Sequence, residues 1–443
     1  MGKKRVVVVN IAGLAPVHCE SEVNMPHLSA LRQKGRLHTI RPVFPAVTLP
    51  VQASMTTGLY PAAHGVVANG SYSRQTQQVS FWEQAAALVD GERVWTKIKK
   101  QRPELKTALL FMQHSLYADA DVVITPKPFH TDQGFIPWCY SKPVGFYEEL
   151  CERIGPFNLM HYWGPMASIE ASRWIAGATV ETIVRFAPDL MFVYLPHLDY
   201  CLQKFGPDAP GLAAELQAVD EQVGRIVGAV DASGQRDETV FIVMSEYRIQ
   251  AVCGDVPINR VLRNNDLLSV RAINGREYLD CELSQAFAMV DHQVAHVYVK
   301  EGAMGKVRGL LEQTAGIDLV FAPHEKTELQ IDHRSAGDLV VVSARDRWFS
   351  YYWWNERSRE PDFATQVDIH RKPGYDPLEL FLEPGTRSIS QDTSLIKGSH
   401  GYPALAETDR VPLLISGVGA RAVDIPYSAD HTILPSLIEE MLL

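Results

Sequence analysis

Short runs of β-branched and apolar residues constrain the fold of this chain more than any other feature. They are RVVVVN (5–10), TALLFM (107–112), DVVIT (121–125), LMFVYL (190–195), TVFIVMS (239–245), DLVVVSA (338–344) and VPLLISG (411–417). They are apolar on both faces, as strands covered by helices on two sides must be. Helical patterns lie between several of them. MPHLSALRQKG (25–35) places apolar residues at i, i+3 and i+4 and stops at Gly35. SIEASRWIAGATVETIVRF (168–186) and GLAAELQAVDEQVGRIVGAV (211–230) follow the same spacing. The alternation predicts an α/β fold, doubly wound, with a mostly parallel central sheet and helices on both faces. Ligands of such sheets bind at the carboxyl ends of the strands.

Two segments break the rhythm. Residues 250–337 hold PINRVLRNNDLL, AHVYVK and GKVRGLLEQTAG, which predict a small α+β subdomain. Residues 345–398 hold the aromatic run RWFSYYWW and then polar sequence with DIHRKPGYDP, which predicts a lid-like insertion. The core is then 1–249 and 399–443, with 338–344 as one of its strands. A chain of 443 residues suits one large domain with such insertions.

The formal net charge of −10 argues against a nucleic-acid partner. Six cysteines without a Cys-x-x-Cys pair read as reduced thiols. The basic start MGKKR precedes an apolar run that Asn10 and Pro16 break, so it reads as a buried strand and not as a signal peptide. Val6 breaks the myristoylation pattern. No stretch is long enough to span a bilayer. The expectation is a cytoplasmic protein with no membrane partner.

Polar residues stand just past the strands: Asn10 after the first, Asp199 after FVYLPHL, Glu246 after FIVMS, and His400 in the Gly-rich KGSHGYP before the last. Each alone could be a helix cap or a loop residue. Together they sit where an α/β enzyme assembles its site. Thr48, in FPAVTLPVQASMTTG, precedes a small-residue helix. It could cap that helix. It could equally be a nucleophile, because backbone donors and the helix dipole favour an alkoxide or a bound phosphate. A free Thr hydroxyl needs a metal or a base to activate it.

At this point the chain resembles the alkaline phosphatase superfamily, in particular its type I phosphodiesterase/nucleotide pyrophosphatase branch. MPHLSALRQKG is similar to that branch's first helix, and FPAVTLPVQASMTTGLYPAAHGVVAN to its nucleophile segment. YLPHLDYCLQKFGP is similar to its Asp-x-x-x-His stretch, KGSHGYP to its late His loop, and VDIPYSADHTILPSLIEEM to its closing turn and helix. The resemblance implies two zinc ions about 4 Å apart, a Thr that attacks phosphorus, and a phospho-enzyme that water releases. It makes Thr48 the nucleophile and Asn69 a donor to a phosphoryl oxygen. Asp199 and His400 match two ligands of one metal, whose third position holds Gln203 in place of His. In the second site Asn10 replaces an Asp, and Glu246-Tyr247 replaces an Asp-His pair.

Glu for Asp keeps a carboxylate. Asn and Gln offer only neutral oxygens, and Tyr, with a pKa near about 10, must lose a proton to bind zinc strongly. Asp368 and His370, in DIHRKPGYDP, are candidates to complete a rebuilt site with Asp199 and His400; the alternative is a lid tied by Arg371 and Lys372. His197, two residues before Asp199, is a further candidate if that segment is extended. Asp291, His292 and His296, and the pair Asp332 and His333, match no ligand of the family and read as structural. The aromatics Trp348 to Trp354 read as packing or as the wall of an apolar pocket.

The expected function is a metal-dependent phosphoric-ester hydrolase or phosphoryl-transfer enzyme acting on a small organic phosphate. Its expected cofactor is one or two divalent ions, zinc or else manganese. Metal ligands would come from Asp199, His400, Glu246, Gln203, Asp368 and His370; Asn69, Asn10 and Tyr247 would face substrate. The alternative is a non-catalytic phosphate- or small-molecule-binding protein on the same scaffold; a third keeps an enzyme but changes the reaction. The Thr at position 48 and the lack of a Cys-x-Pro-x-Arg motif disfavour sulfatase chemistry.

Overall fold

The computed structural model describes residues 4–132 and 134–443. Two sheets organise it. Their strands, in chain order, are β1 (Arg5–Ile11), β2 (Gly35–Ile40), β3 (Thr107–Leu110), β4 (Val122–Pro126), β5 (Cys139–Lys142), β6 (Leu190–Leu195), β7 (Thr239–Met244), β8 (Ala286–Asp291), β9 (Val294–Val299), β10 (Ile317–Phe321), β11 (Leu339–Ser343) and β12 (Val411–Ser416). The central sheet has the order β2-β12-β7-β1-β6-β3-β4-β5. Its middle, from β7 to β4, is parallel, and antiparallel strands close both edges. Every residue of β1, β6, β7 and β12 is buried, which is why these segments read as unbroken apolar runs.

The helices used below are α1 (Pro26–Lys34), α2 (Thr48–Thr57), α3 (Val94–Gln101), α4 (Ile169–Phe186), α5 (His197–Phe205), α6 (Leu212–Ala232) and α7 (Leu434–Leu442). α1 ends at Gly35, as its pattern predicts. α2 is unusual because all ten of its residues are buried. Its Ala, Ser and Thr residues let the backbone pack closely against its surroundings, and Gly58, at φ 74°, closes it in the left-handed conformation that favours glycine.

The second sheet has the order β8-β9-β11-β10 and is wholly antiparallel. This corrects one expectation. The run at 338–344 is strand β11 of this smaller sheet and not a strand of the central one. It is as apolar as a central strand because it too is fully buried, so composition alone does not separate the two. The run Trp348–Trp354 packs into the core of this subdomain: Trp348, Tyr351, Tyr352, Trp353 and Trp354 are all buried there. No described helix is long and apolar enough to cross a membrane.

Candidate active site

The carboxyl ends of β1, β6 and β7 bring the predicted residues together. Asn10 lies near the end of β1, α5 follows β6, and Glu246 and Tyr247 follow β7. α5 begins at His197, so His197 and Asp199 are not on an extended segment. Instead Asp199 and Gln203 stand one turn apart on one helix face. The His197 ring turns to Glu215, with Nε2 2.5 Å from its carboxylate.

Thr48 is the first residue of α2, and Val47 holds the cap position without a side-chain bond. The ordinary capping role is therefore not the one Thr48 plays. Its hydroxyl is buried and lies 3.2 Å from the Tyr247 hydroxyl, beside Glu246. Asn69 is tied to the same helix: Leu49 N–H donates to its Oδ1 at 2.9 Å. Asn69 in turn donates through its backbone N–H and its Nδ2 to Asp291, at 2.7 and 3.0 Å.

The positions expected to hold metals form hydrogen bonds with one another. Asn10 Nδ2 donates to Glu246 Oε1 at 2.8 Å, and Gln52 Nε2 donates to the same oxygen. Gln203 Nε2 donates to Asp199 Oδ2 at 2.8 Å, and the Tyr375 hydroxyl donates to Gln203 Oε1 at 2.8 Å. Burial pushes the Asp199 carboxyl up to about 7 and the Glu246 carboxyl up to about 8, against the pull of these amide donors. Burial likewise raises the Tyr247 hydroxyl well above its ordinary value.

Four rings adjoin this network, the outer two pairs stacked and the middle pair tilted by 36°. Tyr247 lies on His400 with centroids 3.5 Å apart, His400 on His292 at 3.7 Å, and His292 on Tyr375 at 3.8 Å. His400 Nδ1–H donates to the Ala46 carbonyl at 2.8 Å, and His292 Nδ1 meets Asp291 at 2.9 Å. Burial holds both imidazoles well below their usual pKa, so they are neutral. His400 Nε2 stands 3.7 Å from Asp199 Oδ1, too far for a hydrogen bond.

These residues do not fit the divalent ions that the resemblance implies. Among the described residues no group of three or more His, Cys, Asp or Glu is arranged to hold a metal ion. The donor chemistry gives the reason. Asn10 and Gln203 turn N–H donors toward the two carboxyls, and Tyr247 offers a neutral phenol. The insertion does not repair the set. Asp368 pairs with Arg371 and accepts from the backbone of its own turn, and His370 is exposed, with Nδ1 3.3 Å from the Phe81 carbonyl. The residue that the insertion does send to the site is Tyr375. Nearby, Lys372 is buried between Asp376 and Glu379, 2.7 Å from each.

The sequence reads Asp291 and His292 as structural, whereas they meet Asn69 and His400 at the site, and it does not single out Gln52 or Tyr375. The first two end β8 and start its turn, where His292 takes φ 59°. A polar Asp-His pair between two fully apolar strands was the available signal. His296 is structural, as its sequence suggests: Nε2 faces the Val67 carbonyl and Nδ1 accepts from Gly337.

Comparison with known proteins adds a lineage. The family described as type I phosphodiesterase / nucleotide pyrophosphatase matches residues 6–376. A pyrophosphatase/phosphodiesterase of Schizosaccharomyces pombe is 21% identical over 284 residues, which are 61% of this chain and 49% of that protein. A bis(5'-adenosyl)-triphosphatase of Mus musculus is 25% identical over 253 residues, 55% of this chain and 46% of that protein. The match thus spans about half the length of these relatives. Among solved structures, phosphonoacetate hydrolase of Sinorhizobium meliloti with bound phosphonoformate superposes with a TM-score of 0.65 at 14% identity, over 100% of this chain and 96% of that one. Inactive murine ectonucleotide pyrophosphatase/phosphodiesterase 5, in complex with AMP, gives 0.64 at 16% identity, over 99% and 95%. At such identities the superpositions establish the shared fold.

Proposed function

The chain belongs to the type I phosphodiesterase/nucleotide pyrophosphatase family, and from that premise we propose that it is a phosphoric-ester hydrolase with Thr48 as nucleophile. The observation that carries the reading is the Thr48 hydroxyl. It is buried at the start of α2, takes no part in capping, and lies against Tyr247 and Glu246. A hydroxyl nucleophile needs an adjacent base, and the ionised form of Glu246 is the base beside it. The second N–H of Asn69 Nδ2 is the donor for a phosphoryl oxygen, and Asp291 fixes its direction. No step is assigned to a metal ion.

The substrate is a small organic phosphate. Relatives named for a dinucleoside triphosphate and solved with AMP or phosphonoformate support that class. Half-buried Trp82 and Trp163 flank Tyr375, with centroids 6.3 and 5.5 Å away, and give an organic group an apolar wall. Turnover of an aryl phosphodiester by wild type and by Thr48→Ala tests the reading. Loss of turnover with an unchanged circular dichroism spectrum supports it, and equal rates end it.

A second reading has its own observation. The amides of Asn10, Gln52 and Gln203 all bond the two carboxyls that a metal-dependent site would leave free for metal. That arrangement suits a protein that binds a phosphate ester without cleaving it. Calorimetric binding of AMP with no release of product over days would favour this reading.

A further inference from the structure

Arg93 immediately precedes α3 and is 7% exposed. Its Nε, Nη1 and Nη2 are all buried without a hydrogen-bond partner among the described residues. The guanidinium lies 4.5 Å from the centre of the Trp95 ring, which packs edge-on against Phe192. The ionisable side chains that feel its charge are His64 and His114, both buried and both held neutral near about 3 by burial and by Arg93 itself. Among the described residues no carboxylate acts on Arg93; burial lowers its pKa, to about 9, and at neutral pH it remains a cation.

A buried cation without an anion is among the least favourable arrangements in a protein, and a face of Trp offsets only part of it. His64 cannot help, because Nδ1 accepts from Val66 N–H and Nε2 bonds Ser54 on α2. His114 can. Its Nδ1 is also buried and unpartnered, and its backbone takes the left-handed φ of 48°. A side chain is held in that region only where its surroundings over-determine it. Arg93 acts electrostatically on His114 and on His64, whose Nε2 bonds Ser54 of the nucleophile helix, so the two buried, unsatisfied groups lie in one region of the core.

We infer that Arg93 and His114 hold a small inorganic anion, with chloride the smallest that fits this chemistry and phosphate the oxoanion alternative. The site is separate from Thr48 and is independent of how the active site is read. One chain of contacts connects the two: Gln113, next to His114, donates its backbone N–H to Gln52, and Gln52 donates to Glu246.

Two measurements test the inference. In crystals grown from bromide, an anomalous difference map is expected to show a peak at hydrogen-bonding distance from the Arg93 guanidinium. In solution, melting temperature at constant ionic strength is expected to rise by on the order of 1–2 °C per tenfold increase in the bound anion. Sodium gluconate serves as the reference salt, and chloride and phosphate series identify which anion is held. Arg93→Met is expected to abolish the dependence. If that variant does not fold, the map and the wild-type titrations still decide. Absence of both a bromide peak and any anion-specific stabilisation, a peak with no anion-specific stabilisation, or equal responses in both proteins would each overturn the inference.

Discussion

Replacing Glu246 with Gln offers the sharpest test of how the site is kept together. Gln has the shape of the protonated acid, and its carbonyl oxygen can accept from Asn10 and Gln52 as Glu246 Oε1 does. Burial raises the Glu246 carboxyl from 4.5 to about 8 in the folded state. A group with a raised folded pKa binds its proton more tightly when folded. Its contribution is fully present below the unfolded value and is lost as pH climbs through the folded one. Each pH unit in that window costs about 1.4 kcal/mol, so the whole shift amounts to roughly 4–5 kcal/mol. Asp199, raised from 3.8 to about 7, adds a similar loss over a lower window. Urea unfolding followed between about pH 6.5 and 8, above the range where the buried neutral histidines add stability as pH rises, should therefore show wild type weakening with pH. Glu246→Gln should remove about 1.4 kcal/mol per pH unit of that slope. Equal slopes would refute the neutral-carboxyl account. A wild type that gains stability between about pH 6.5 and 8 would contradict it as well.

Other outcomes follow from the same geometry. Asn69→Ala removes the phosphoryl donor and should lower kcat by about 10²–10³ without unfolding the protein; an unchanged kcat counts against its role. Lys372→Met leaves Asp376 and Glu379 buried without their cation, so denaturant titration should show a loss of about 3–5 kcal/mol. Elemental analysis of protein purified without chelators should find well under one equivalent of zinc or manganese. A stoichiometric ion would mean that the Asn10, Gln203 and Tyr247 amides and phenol do not prevent metal binding.

The sheet was legible because parallel strands covered on both faces leave long apolar runs, and β1, β6 and β7 are of that kind. β11 misled for the same reason, since full burial looks alike in either sheet. At the site, Asn10, Asp199, Glu246 and His400 were grouped by their places beside strand ends, and Thr48 by its place at the start of a small-residue helix. His197 was misplaced because α5 starts at that residue and not after Asp199. Asp291 and His292 read as structural, and Tyr375 was not singled out, because they arrive from the small sheet and the insertion. Only tertiary packing brings their rings onto His400, and no local periodicity records it. Asp368 and His370 looked like ligands because an Asp-x-His spacing is also what a surface turn closed on Arg371 contains.

The central claim is that Thr48 attacks phosphorus. Acid quench of the protein during turnover of an aryl phosphodiester, followed by peptide mass spectrometry, examines that step directly. The account predicts a phosphoryl-ester adduct on the peptide that contains Thr48, absent from Thr48→Ala, which also fails to turn over. Sustained turnover with an unmodified Thr48, or by Thr48→Ala at the wild-type rate, would contradict it.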